Sequence, residues 1–356
     1  MTRALVVLAL TIAGAAGAQP KQPDLQIDAA MRTQVIDAAL AALRARYVFP
    51  EVAAKIETTI RARVAAHAYD RVTSAIAFAD ALTKDLQGVS HDKHMRMFYS
   101  AEPVRSDPPP DAPPSEEDKA RSHAIAQRFN AGFVKVERLD GNIGYLRFDG
   151  FLPPEEAGPR AAAAMAFLGD TDALIIDARE NHGGEPASVA IVVSYLYEAS
   201  DEIHINDIYW RPDNSTHQYW TLPSLPGRRY PKKPVYVLTS HETFSGGEEF
   251  AYDLQTEKRA TLVGEVTGGG ANPGGTSKVG EHFALFVPSG RAVNPVTRTN
   301  WEGTGVKPDV ATTAAKALDT AYLAALREQR KRVSAREAPG LHDEIEQAIG
   351  KLEGKR

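Results

Sequence analysis

Ser245 stands between a run of strand-forming residues and a pair of glycines, and that placement is the first in this sequence from which catalysis can be argued. The run is Val235-Tyr236-Val237-Leu238-Thr239, continuous and apolar enough for a buried strand. After a short polar turn come Ser245-Gly246-Gly247-Glu248-Glu249-Phe250, where a helix with Phe250 and Leu254 on its apolar face is expected over 245–257. A serine so placed sits at the carboxyl end of a strand and the positive end of a helix. Its neighbouring amides, Gly246 first, could bind an oxyanion. The same letters also spell a capping box, with Glu248 three residues after Ser245. On local pattern alone both readings stand.

A second segment has the same grammar. Leu174-Ile175-Ile176-Asp177 reads as a buried strand that ends in Ala178-Arg179-Glu180-Asn181-His182-Gly183-Gly184. Gly183 and Gly184 could turn free amides toward the carboxyl edge of a sheet, where ligands bind in open α/β folds. An ordinary strand–helix turn would also use glycine there.

The elements that would position these residues follow from the change in period along the chain. Over 28–98 the spacing is helical: Ile36, Leu40, Leu43 and Tyr47, then Val52, Ile56, Ile60 and Val64 after Pro50, then Ile76, Ala79, Leu82 and Leu86 behind a Ser74 cap. Met95–Phe98 alternates as a strand does. Residues 101–118 are rich in Pro and acidic groups, as a connector is, and a helix over 119–130 follows. From Phe133 strands take over. A hairpin turns at Asp140-Gly141, and strands at 173–177, 235–239 and 261–265 alternate with helices at 155–168, 186–198 and 245–257, with a polar strand pair near 203–222. That alternation predicts a mostly parallel sheet covered by helices. The expected organisation is a helical N-terminal domain (26–100), a linker with a short helix (101–130), an α/β core (131–333) and a helical tail (334–356).

Several ordered segments resemble one family. The stretch from Ile175 to Gly184 is similar to the strand–turn "LIIDLRxNxGG" of the tail-specific, or C-terminal processing, peptidase superfamily (family S41). Thr239–Gln255 resembles its nucleophile segment "TSxxTxSAAE". The stretches 141–151, 264–275 and 301–310 resemble the flanking segments, so the likeness runs through 133–312, with a weaker match over 30–100. The resemblance implies a ClpP/crotonase-like core and peptide hydrolysis through an acyl-enzyme on Ser245. Two departures narrow it. The family's "GKG" lysine base is replaced by Gly268-Gly269-Gly270, and only about 30 residues separate Ser100 from Ala131, too few for a PDZ domain. The closer likeness is therefore to the PDZ-lacking branch, tricorn-core-like and interphotoreceptor-retinoid-binding-protein-like. In that branch the base is a histidine from the N-terminal part, which maps through "D-x-H-L" onto His94, with His91 as the alternative. The acidic member maps onto Glu302 in Trp301-Glu302-Gly303, either orienting the histidine, directly or through a hydroxyl, or serving structure. The retinoid-binding-like members imply another reading, a non-catalytic carrier of an apolar ligand or peptide.

Composition bounds the rest. A net charge of −5, with Lys and Arg scattered, argues against nucleic acid as partner. The absence of cysteine removes disulfides, thiol nucleophiles and Cys-ligated zinc. His241-Glu242 and His204 lack a metal-site spacing and no P-loop occurs, so no cofactor or metal is expected. Arg3, the apolar stretch 4–13 and Ala16-Gly17-Ala18 read as a secretory signal peptide over 1–18. An exported, periplasmic or secreted protein acting on polypeptides is the expectation, with no membrane span after cleavage and with no oligomeric state indicated.

Overall fold

The computed structural model describes residues 22–106 and 113–354. The signal-peptide reading of 1–18 and part of the Pro-rich connector lie outside the described residues. The chain divides into two compact units. One comprises the N-terminal part to Ser115 with residues 208–217 and 272–292; the other comprises 116–207, 218–271 and 293 onward.

In the first unit, helix α1 (Ala29–Arg46) starts where the Asp28 side chain accepts the Met31 amide at 2.8 Å. Helix α2 (Pro50–Ala65) has proline at its first position, and α3 (Ala75–Ser90) is capped by Ser74, which accepts the Ala77 amide at 3.0 Å. Strand β1 (Arg96–Tyr99) follows. Ile36, Leu40, Leu43, Tyr47, Ile56, Ile60, Leu82 and Leu86 are all buried as their spacing requires. Ile76 is not: it is 41% exposed, and Ala75 and Phe78 take the inward face of α3 instead. A helix begun one residue after its cap turns positions 75, 78, 79, 82 and 86 to one side, and Ile76 lies off that stripe.

Past Ser115 the chain continues, through both units in turn, with α4 (Glu116–Arg128) and a 3-10 turn at Asn130–Gly132. Then come β2 (Phe133–Leu139), β3 (Ile143–Phe148), α5 (Pro154–Leu168), β4 (Ala173–Asp177) and α6 (Pro186–Ser194). Strands β5 (His204–Trp210) and β6 (Ser215–Trp220) are the expected polar pair. After them come β7 (Val235–Thr239), α7 (Gly246–Thr256) and β8 (Thr261–Gly264). Three strands not anticipated from the sequence follow: β9 (Gly274–Lys278), β10 (Phe283–Pro288) and β11 (Gly290–Val293). Strand β12 (Val310–Ala311) and helices α8 (Ala314–Arg330) and α9 (Pro339–Glu353) complete the chain. Strand β10 pairs antiparallel with β1 and β9, and its Phe283, Leu285 and Val287 close the core of the first unit under α1–α3.

The second unit is built on a six-stranded sheet of order β12-β8-β7-β4-β3-β2, parallel except for the β2–β3 hairpin. All five residues of β4 are buried because both faces are covered. Ile143, Tyr145, Ile175, Leu238 and Val263 pack under α8 and α9. The alternate face meets α5, where a side-chain atom on Gly144 would stand 3.0 Å from Leu168. The chain is thus mixed α/β with a mostly parallel central sheet. Because β4 and β7 run parallel as neighbours, the turns that follow them leave the same edge.

Candidate active site

The turn after β7 is stitched to the turn after β4. The Thr243 hydroxyl donates to the Ala178 carbonyl at 2.8 Å, and the Phe244 amide donates to the Asn181 carbonyl at 2.9 Å. Held on this side, the chain reverses at Ser245 with φ +53° and ψ −122° before entering α7. A non-glycine residue at positive φ of this kind costs about 1–3 kcal/mol and persists only where its surroundings enforce it. It is the geometry of a strand–nucleophile–helix elbow.

Gly183 and Gly184 form the facing wall. A Cβ on Gly183 (φ +92°) would lie 2.6 Å from the Gly246 nitrogen and 2.7 Å from the Ser245 Cβ; one on Gly184 (φ +138°) would lie 2.0 Å from the Phe151 carbonyl. No larger residue fits either place. The two glycines differ in what their amides do. The Gly183 amide is taken by the Asn181 side-chain oxygen at 2.9 Å. The amides of Gly184 and Gly246 have no acceptor among the described residues, and a Cβ on Gly246 would stand 3.1 Å from the Gly184 nitrogen. Of the three residues expected to supply an oxyanion hole, two therefore present free donors side by side, and Gly183 supplies the close approach.

Glu248 is more than a cap. Its buried carboxylate accepts the Ser245 amide at 3.0 Å, the Gly269 amide at 2.6 Å, the Gly270 amide at 2.8 Å and the Thr267 hydroxyl. Burial pushes this carboxyl up while those four donors pull it down. The bond to the Ser245 amide is the Glu248 half of the capping box that opens α7. The loop it holds is in turn tied to the 301–305 turn. The Trp301 indole donates to the Gly270 carbonyl at 2.8 Å, and the Gly303 amide donates to that of Gly269 at 3.1 Å. The half-buried Glu302 accepts the Ala271 amide at 2.6 Å. A hydrogen-bonded path thus joins the Ser245 turn to the Glu302 turn. Gly269, where the family's lysine would stand, has φ +83° and would set a Cβ 3.1 Å from the Gly305 nitrogen. Gly269→Lys is expected to lower stability by about 1–2 kcal/mol and to bring no gain in the reactivity of Ser245. Thermal melts and covalent labelling together check this, and a large rate increase would mean that a latent serine–lysine pair exists.

His94 and His91 belong to the first unit. His91 ends α3 in the left-handed conformation (φ 56°) and is exposed. His94 lies in the turn before β1, with its ring stacked on Phe286 at 5.8 Å between centroids. Burial lowers its imidazole to about 4, well under the usual value for histidine. The turn is set by Asp92, 1% exposed, whose carboxylate accepts the His94 amide at 3.0 Å, the Asn272 side-chain amide at 2.9 Å and the Tyr47 hydroxyl at 3.4 Å. Burial pushes Asp92 up to about 6 against those donors. Asp92, Asn181 and Glu248 were not among the expected site residues. Ser245, Gly246, Gly183 and Gly184 are brought together in one unit, with Glu302 joined to them through the loop.

Comparison with known proteins agrees in kind. The model of peptidase family S41 matches residues 142–312, and the model of the N-terminal domain of that peptidase in eukaryotic IRBP matches 26–131. A carboxy-terminal-processing protease of Bartonella bacilliformis is 26% identical over 178 residues, 49% of this chain and 39% of that protein, so the chain spans well under half of that relative's length. A lipoprotein from Streptococcus agalactiae superposes with a TM-score of 0.56 at 13% identity, covering 85% of this chain and 97% of the other. Mature CPAF does so with 0.52 at 13% identity, covering 81% and 94%. The two family models match successive stretches of the chain, so its N-terminal part and its core are each similar to the corresponding part of family S41 peptidases.

Proposed function

We propose that the chain is an exported serine peptidase that cleaves polypeptides through an acyl-enzyme on Ser245. The Ser245 hydroxyl oxygen attacks the scissile carbonyl. The Gly184 and Gly246 amides receive the negative charge that develops on the carbonyl oxygen. His94 takes the hydroxyl proton and returns it to the leaving amine, and water then releases the acyl group. Glu302 is the acidic member of the set, and His94 rather than His91 is the base. The observation that carries this reading is the strained elbow at Ser245 beside two amides that have no internal acceptor. His94 suits a base because its burial keeps it neutral across the physiological range, whereas His91 is an exposed helix cap.

No described helix is long and apolar enough to cross a membrane, and export rests on the leader read in residues 1–18. The test is a fluorophosphonate probe followed by peptide mapping. The adduct is expected on the peptide containing Ser245, and the same map of exported protein is expected to begin at Gln19. An adduct elsewhere would displace Ser245 as nucleophile. No adduct, beside tight uptake of an apolar ligand, would favour the carrier reading.

A further inference from the structure

Helix α7 carries two acidic side chains, one turn behind the elbow, that the proposed chemistry does not use. Glu249 is 4% exposed and Asp253 is 2% exposed. They are four residues apart and so share one helix face. Glu249 Oε1 and Asp253 Oδ2 have no hydrogen-bond partner among the described residues.

Among the described residues no counter-charge acts on them. Asn206 of β5, fully buried, faces Glu249, yet neither of its amide atoms meets hydrogen-bond geometry with any described group. Asn294, after β11, donates to Asp253 Oδ1 at 3.0 Å. The other charged group acting on Asp253 is Glu257 at the end of the helix, which is of the same sign. The Tyr197 hydroxyl, buried after α6, feels Asp253 but is itself neutral and held high by burial. Arg259 bears on Tyr197, but its guanidinium is spent on the carbonyls of Leu196, Tyr230 and Lys233. Ionising both carboxyls would set two like charges one turn apart in a dry site.

We propose that Glu249 and Asp253 hold a proton between them in the folded protein, and that its release to solvent as pH rises loosens α7 and sets the alkaline limit of the core. Burial drives Glu249 up to about 7 and Asp253 well above the ordinary carboxyl range. In the unfolded chain both groups ionise near 4. Between those values the pair holds more protons in the folded state than in the unfolded one, so its contribution to stability falls as pH rises through the window. Helix α7 begins directly after Ser245, so the region that weakens is the one that supports the elbow.

The test compares the wild type with Glu249→Gln/Asp253→Asn, an isosteric pair that cannot ionise. Melting temperatures are measured from about pH 5 to 8.5, and infrared spectra are taken at neutral pH. The wild type is expected to show the carbonyl band of a protonated carboxylic acid that the double variant lacks. The melting temperature of the variant relative to wild type is expected to grow by about 5 °C across that range. Parallel melting curves, or no difference in the acid band, would overturn the proposal. So would a wild type that gains stability from added Ca²⁺ or Na⁺ and loses it to a chelator, since a cation would then stand where the proton is placed. Neither readout depends on hydrolysis, so the result is independent of the proposed activity.

Discussion

Ser245→Ala is expected to reduce peptide hydrolysis by roughly 10³-fold or more and to abolish fluorophosphonate labelling, leaving what oxyanion donors and binding supply without a nucleophile. The fold should survive, because the bonds from the Ser245 amide and from Thr243 that shape the elbow remain and loss of the cap costs only about 1 kcal/mol. Ser245→Gly sharpens the test. If the serine were there only to cap α7, glycine would cost a few tenths of a kcal/mol. At φ +53° and ψ −122° glycine instead relieves strain, and a gain of about 1 kcal/mol is expected. A variant that melts higher and hydrolyses nothing would mark the serine as kept for chemistry at the expense of stability. A variant that melts lower and keeps its activity would refute both the strain and the role.

His94→Ala is expected to slow probe labelling by about 10²–10⁴-fold, the usual contribution of a positioned base, while His91→Ala stays near wild type. Loss from His91→Ala alone would transfer the role. The pH profile adds a second signature. The base works as neutral imidazole, so reactivity is lost as the ring gains a proton. From sequence alone the midpoint is expected near the unperturbed 6.5; the buried ring moves it to about 4. Labelling should therefore hold its plateau through pH 6 and fall by half near pH 4. A midpoint at 6.5 would mean that the working base is a solvated histidine. The unfolded chain takes up this proton first as pH falls from about 6.5, so the His94 contribution to stability is lost between there and about 4, and it is read as the difference between wild type and His94→Ala. Circular dichroism at each pH separates that loss from loss of the base.

The parts of this site that are local in the chain were legible in the sequence. Strands β4 and β7 announce themselves by unbroken apolar runs, and Ser74 by its cap position. The Gly183–Gly184 distinction is local too: Asn181-His182-Gly183 has the spacing of an Asx turn, in which the side-chain oxygen captures the amide two residues on. Other features are non-local. Glu248 reads as a cap because its partner Ser245 is three residues away. Nothing nearby reports that Gly269 and Gly270, some twenty residues on, complete its coordination. Asp92 gains Asn272 across 180 residues. Strand β9, Gly-Gly-Thr-Ser-Lys, has no apolar alternation and pairs only because β10 offers it an edge. Ile76 misled because a stripe counted every third or fourth residue shifts when the cap is taken into account.

The Glu248 hub bears on how such a site changes over evolutionary time. Its carboxylate grips the loop at Gly269 and Gly270 by main-chain amides, which almost every residue type possesses. Information about the loop's shape is thus stored at one position outside it. The letter at position 270 can drift while the architecture is inherited, provided that the acid three places after Ser245 is handed down and that position 269 keeps a residue at ease with a φ of +83°.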